Sequence, residues 1–157
     1  MLLIITSGIE LEIVDNKKNI AMDKTEYTET TLADADKIKV ISDFIHSRGG
    51  KVMISVNFVL PWLLNRVEPY ADGLMASFDT LPEAQIDVLT GKYKPRGVLP
   101  FTLPASLDVI AVDENNKSIS PNDVPGYDKD QYMPEGLSYS YVDADGNRYV
   151  LDYGLSY

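Results

Sequence analysis

The stretch Lys51–Phe58, KVMISVNF, decides the fold. Apolar side chains stand at 52, 53, 54, 56 and 58, three of them β-branched, and charge is absent after Lys51. That composition suits a strand covered on both faces rather than one with a wet side. Working outward, two more runs share the character: Leu2–Thr6 (LLIIT), bounded by Ser7-Gly8, and Gly73–Phe78 (GLMASF). Helical signals lie between and after them. Ala35, Ile38, Ile41, Phe44 and Ile45 recur at helical spacing, Thr31 and Asp34 are placed for a capping box, and Gly49-Gly50 ends the run. Pro61 suits the first turn of a short helix reaching about Val67. Thr80 and Glu83 repeat the capping-box spacing around Pro82, opening a helix that runs to Gly91. Strand and helix alternate three times, which predicts an α/β fold: a three-layer α/β/α sandwich with a mostly parallel sheet.

The remainder is less regular. Ile9–Asp15 alternates apolar and acidic residues, Asn16–Asn19 reads as a turn, and 20–30 has no period. After Gly91 the chain becomes a loop region built on turn formers: Pro95, Pro100 and Pro104 fix φ and remove donors, yet Val98, Leu99, Phe101 and Leu103 among them need burial. Near the end, Ser138–Tyr141 and Arg148–Tyr153 flank Asp143–Asn147 with alternating tyrosines, the pattern of a β-hairpin. Gly136-Leu137-Ser138-Tyr139 recurs as Gly154–Tyr157, too local for a repeat protein. An apolar strand as the opening element leaves nothing to cover it, so the expectation is a single domain over 1–157, truncated at its N-terminus.

Bulk properties bound the partners. At 157 residues the chain suits one domain with a core, and its net charge of −10 argues against nucleic acid and anionic membrane. It has no cysteine, which removes thiolate chemistry and disulfides without fixing a compartment. Met1–Thr6 is too short for a membrane span or a signal peptide. Neither a dinucleotide fingerprint nor a phosphate loop is present, and no cofactor is expected.

Several residues carry possible chemistry. His46 is the single histidine; with no second ligand in view it reads as a helix-end residue rather than a zinc ligand. Asp143-x-Asp145-Gly146-Asn147 resembles a calcium loop, but its spacing is wrong for the EF-hand and its dipeptides are turn formers. No serine has the flanks of a nucleophile elbow. Trp62, after Pro61, reads as packing. Glu10, Glu12, Glu26 and Glu29 follow the first strand, at the edge where open parallel sheets place their sites, and paired carboxylates are what glycoside hydrolysis needs.

The segments VMISVNF, VEPYADGLMASF, PEAQIDVLTGKYKPRGVLPFTLP, Val124–Asp128 and Tyr153–Tyr157 stand together in an order that resembles the C-terminal α/β sandwich domain of family 3 glycoside hydrolases, the β-glucosidase family. The resemblance implies a retaining hydrolase acting on β-linked gluco- or xylo-configured saccharides. A (β/α)8 barrel domain would carry the nucleophilic aspartate, which this chain lacks, since Ser42-Asp43 is followed by Phe44 on a helix. It also implies a general acid/base glutamate on the sandwich domain; Tyr27-Thr28-Glu29-Thr30 matches that context, making Glu29 the first choice and Glu10 the second. On this reading the chain alone is inactive. Two other readings stay open: a carbohydrate- or partner-binding module using its ten tyrosines as stacking surfaces, and a truncated, non-functional fragment.

Overall fold

A computed structural model describes residues 1–7, 35–58, 61–106, 108–110, 117 and 119–154. Strand β1 (Leu2–Ser7), helix α1 (Ala35–His46), strand β2 (Val52–Asn57), strand β3 (Gly73–Ser77) and helix α2 (Pro82–Leu89) follow one another, with single 3-10 turns at Glu68–Tyr70, Asp108–Ile110 and Lys129–Tyr132. The three strands form one parallel sheet in the order β1-β2-β3. Leu2 lies opposite Val52 and Ser7 opposite Asn57; on the other side Met53 lies opposite Gly73 and Asn57 opposite Ser77. This is the α/β fold that the alternation predicts.

β2 sits between its neighbours, and Val52, Ile54 and Val56 are fully buried. Removing each from water contributes about 1.5–3 kcal/mol. Phe58, Trp62, Leu64, Val67, Leu99, Leu103 and Tyr141 complete the core, with Ala35 and Ile38 from α1. On the polar side of β2, the Ser55 hydroxyl donates to Ser77 Oγ (3.3 Å), which in turn donates to the Val56 carbonyl, so neither buried hydroxyl is orphaned.

The C-terminus of α1 is closed by the glycine pair. Gly49 N–H donates to the His46 carbonyl and Gly50 N–H to the Ile45 carbonyl, the paired bonds of a Schellman motif. Gly49 adopts φ 71°, and a Cβ on Gly50 would lie 2.5 Å from Ile45 Cγ2. Glycine is therefore favoured at 49 by its positive φ and at 50 by the lack of room for a Cβ.

Four local expectations are corrected. The buried face of α1 is Ala35, Ile38 and Ser42, while Ile41 is 41 % and Phe44 55 % exposed. Pro61–Val67 is not a helix: Trp62, Leu63, Leu64 and Val67 are all buried, and three consecutive buried side chains need burial on more directions than one helix face offers. Thr80 makes no capping box; its hydroxyl accepts from Phe78 N–H, and Leu81 occupies the N-cap of α2 without a side-chain bond. Pro82 at the first position removes one donor that would otherwise need a partner. The expected hairpin is reduced to single antiparallel bridges, Val142 with Arg148 and Pro104 with Ser140. The capping pair Thr31 and Asp34 lies outside the described residues.

The proline-rich segment is held by this C-terminal region. Leu99 N–H donates to the Tyr153 carbonyl, Leu103 N–H to the Tyr149 carbonyl, and Tyr141 N–H to the Leu103 carbonyl. Leu99 and Leu103 then point into the core at 7 % and 1 % exposure.

Candidate functional site

The carboxyl ends of parallel strands are where open α/β sheets bind ligands, because the backbone amides and loops converge there. In this chain β2 ends at Asn57 and β3 at Ser77, and the residues that follow build one surface. Phe58, Phe78 and Phe101 form a triangle with ring centroids 6.0, 5.6 and 6.1 Å apart, in tilted and edge-on arrangements. Phe58 is buried and Phe101 half-buried, whereas Phe78 is 46 % exposed, so the cluster offers one open apolar shelf.

A polar pair borders the shelf. Asn57 Nδ2 donates to Asp79 Oδ1 (3.1 Å), and Asp79 N–H donates back to Asn57 Oδ1 (2.7 Å). Trp62 Nε1 donates to the Asn57 carbonyl, fixing the strand end from beneath. Asp79 is held at φ 50°, a left-handed conformation that costs a non-glycine residue energy and recurs at ligand sites. The aspartate carboxylate is thus presented on an exposed residue beside an exposed ring.

Two further constellations gather titratable groups. At the opposite end of the strands Asp72 accepts from Lys51 Nζ (2.6 Å) and Val52 N–H (2.8 Å) and pairs with His46 Nε2 (2.7 Å). The Lys51 ammonium, then the Val52 amide and the His46 ring, hold the Asp72 carboxyl well below the usual carboxylate range. This ties α1, β2 and β3 together, so His46 is an anchoring residue at a helix end. Asp143 is a turn cap: Oδ1 accepts from the backbone of Asp145 and Asn147, and Oδ2 from Asn147 Nδ2 and Tyr149 OH. Its lone pairs serve the turn that the dipeptides predict. Among the described residues no group of three His, Asp or Glu is placed to hold a metal.

A groove of about 240 Å³ lies between the 124–129 and 148–151 segments, lined by Thr102, Val124, Tyr127, Asp128, Arg148 and Val150 among others. Arg148 donates to Asp128 (3.0 Å) and to Asp130. Burial alone would raise the Asp130 pKa; the Ser140 amide, Arg148 and the Tyr139 amide outweigh it and hold the group below its ordinary value.

Glu29 and Glu10, and with them Glu12 and Glu26, lie outside the described residues. The shelf and its Asn57–Asp79 border escaped the sequence reading. The available signal was that Asn57-Phe58 and Phe78-Asp79 stand at the ends of successive strands, each pairing one aromatic with one polar residue.

No family model matches the chain, and no solved structure matches it. The chain is 31 % identical over 91 residues to a cystathionine gamma-lyase of Dictyostelium discoideum, an alignment covering 54 % of this chain and 23 % of that relative. The chain thus spans less than a quarter of the length of the curated relative it matches. This corrects the family 3 resemblance: the match found is to a lyase, not a glycoside hydrolase, and the β-glucosidase activity and hydrolase class expected with it are withdrawn. The structure supplies a physical reason for the misleading motif. Gly91 at φ 73° ends α2, and Leu99 and Leu103 are placed by core packing, requirements that do not depend on a glycosidase site.

Proposed function

We propose that the carboxyl edge of the sheet binds a ring-bearing, hydroxyl-rich ligand, saccharides included, with a companion domain closing over it. The observation that carries this reading is the Phe58–Phe78–Phe101 shelf bordered by Asp79, an apolar ring face beside a charge-bearing acceptor. A sugar-like ring has the matching character, since its C–H face lies on an aromatic ring while its hydroxyls donate to a carboxylate. The shelf is one-sided, which is why a wall from a second domain belongs to the proposal. The reading assigns binding and no bond-breaking step.

The test is calorimetric titration with gluco-oligosaccharides. Binding is expected, falling about tenfold in Phe78→Ala from the lost stacking and burial. Asp79→Asn is expected to weaken it through loss of the charged acceptor. Silence, or heat that Phe78→Ala leaves unchanged, sinks the proposal. The likeness to a cystathionine gamma-lyase favours a second reading, in which the ligand is cystathionine. The same titration with cystathionine separates the two, because only one ligand class should give heat that depends on Phe78.

A further inference from the structure

All four arginines of the chain, Arg48, Arg66, Arg96 and Arg148, lie among the described residues. Three of them are committed, both at the side chain and at the peptide bond that follows. Arg48 lies over the Phe44 ring and donates to the Phe44 carbonyl, and the next amide, Gly49 N–H, donates to the His46 carbonyl in the α1 cap. Arg66 pairs with Asp36, and the fully buried Val67 gives its N–H to the Leu64 carbonyl. Arg148 pairs with Asp128 and Asp130, and Tyr149 N–H donates to the Tyr141 carbonyl.

Arg96 is different. Neither it nor Gly97 makes a hydrogen bond or ion pair with any described residue, and both are exposed. Tyr93 N–H is held by the Asp87 carbonyl and Leu99 N–H by the Tyr153 carbonyl; from Lys94 to Val98, between them, no backbone group bonds a described residue. Pro95 keeps the stretch out of a helix, and a Cβ on Gly97 would meet nothing within 4 Å. An endopeptidase takes its substrate as an extended strand and bonds the substrate's own N–H and C=O groups. A stretch with unpaired backbone can be offered in that form. The amides after the other three arginines must first leave their partners, which requires local unfolding.

The neighbouring lysines narrow the choice. Lys92 is held by both oxygens of the Asp87 carboxylate, and the amide after it is the Tyr93 N–H already bonded to Asp87. Lys94 precedes Pro95, whose nitrogen carries no hydrogen and whose ring obstructs the scissile bond. Among the cations of Lys92–Arg96, Arg96 alone stands before an open, unbonded peptide.

We propose that Arg96–Gly97 is a processing site for an arginine-specific endopeptidase, and that cutting it gives a folded form in two pieces. Hydrolysis breaks the C–N bond. Water supplies the second oxygen of the new Arg96 carboxylate, and both its protons go to the Gly97 nitrogen, which becomes an ammonium group. Residues 1–96 and 97–157 remain joined through side chains. Leu99 and Leu103 share one core with Val52, Ile54 and Val56, Phe101 packs on Phe58 and Phe78, and Tyr141 OH donates to Glu68 (2.8 Å).

The test exposes the full chain, under native conditions, to a trace of an arginine-specific endopeptidase and follows intact mass with time. Cleavage after Arg96 is expected to be more than about tenfold faster than after Arg48, Arg66 or Arg148, because only those three depend on opening of the fold. Arg96→Gln and Gly97→Pro should both stay whole over the same period. The second keeps the arginine and sacrifices no hydrogen bond, since Gly97 N–H bonds no described residue. On a sizing column the cut parent should elute with the intact chain and part into two pieces only in denaturant. The proposal is overturned if the native chain resists cleavage, if another arginine is cut as fast, or if the pieces separate without denaturant.

Discussion

Asp72 gathers an ammonium, an imidazole and a backbone amide around one carboxyl group, and through them joins three elements. Its depressed pKa means the ionised form is bound more tightly in the folded chain than in the unfolded one. The stabilisation is therefore complete above the ordinary aspartate value of 3.8 and is lost as pH falls through the folded value. We expect Asp72→Asn to melt a few degrees below the parent at neutral pH, and the gap to close on acidification, as followed by circular dichroism. Tyr139 behaves oppositely. Burial, aided by the nearby Asp123 charge, pushes its phenol up to about 12. Its contribution is full below the ordinary value of 10.0 and disappears as pH rises towards the folded value. Tyr139→Phe, which cannot ionise, should move the alkaline unfolding midpoint upward. Neither role was legible in the sequence, because Asp72 and His46 are 26 positions apart and nothing local pairs them.

At the scale of elements, the sequence reading was strongest where one physical requirement dominated. A strand buried on both faces must be apolar throughout, and KVMISVNF has no other way to be read. Ile54→Ala should accordingly cost about 2–5 kcal/mol in denaturant unfolding, through lost transfer energy and the cavity left. Ile41→Ala, on the exposed side of α1, should change stability by less than about 0.5 kcal/mol. That contrast tests the corrected helix face directly. The reading failed where two requirements competed: in Pro61–Val67 the proline signalled a helix start while the burial of Trp62, Leu63 and Leu64 demanded an irregular path. Likewise Thr80 had the spacing of a cap but spends its hydroxyl on Phe78. The hairpin shrank to bridges because its arms, besides bonding each other through Tyr149 and Tyr141, also bond the segment that carries Leu99 and Leu103.

For the whole molecule, the layout was legible and the site was not. Periodicity reports which faces are buried, but the shelf depends on Phe101 meeting Phe58 and Phe78 from a separate segment, which no local pattern encodes. The central position of β2 has a measurable consequence: amide exchange should be slowest at Ile54–Val56 and faster by orders of magnitude at the Asp143–Asn147 turn, whose residues are largely exposed. Uniform protection along the chain would contradict the arrangement.

The backbone bonds from Leu99 to Tyr153 and from Leu103 to Tyr149 also bear on how the protein is made. As the polypeptide leaves the ribosome, β2 and β3 emerge long before the segment that seats these two leucines. Until residue 153 has appeared, one flank of the nascent sheet waits uncovered, and the growing chain is at its most vulnerable to sticking to its neighbours. Slow decoding after residue 104 would lengthen that wait, and a chaperone that shelters apolar surface would be of most use there.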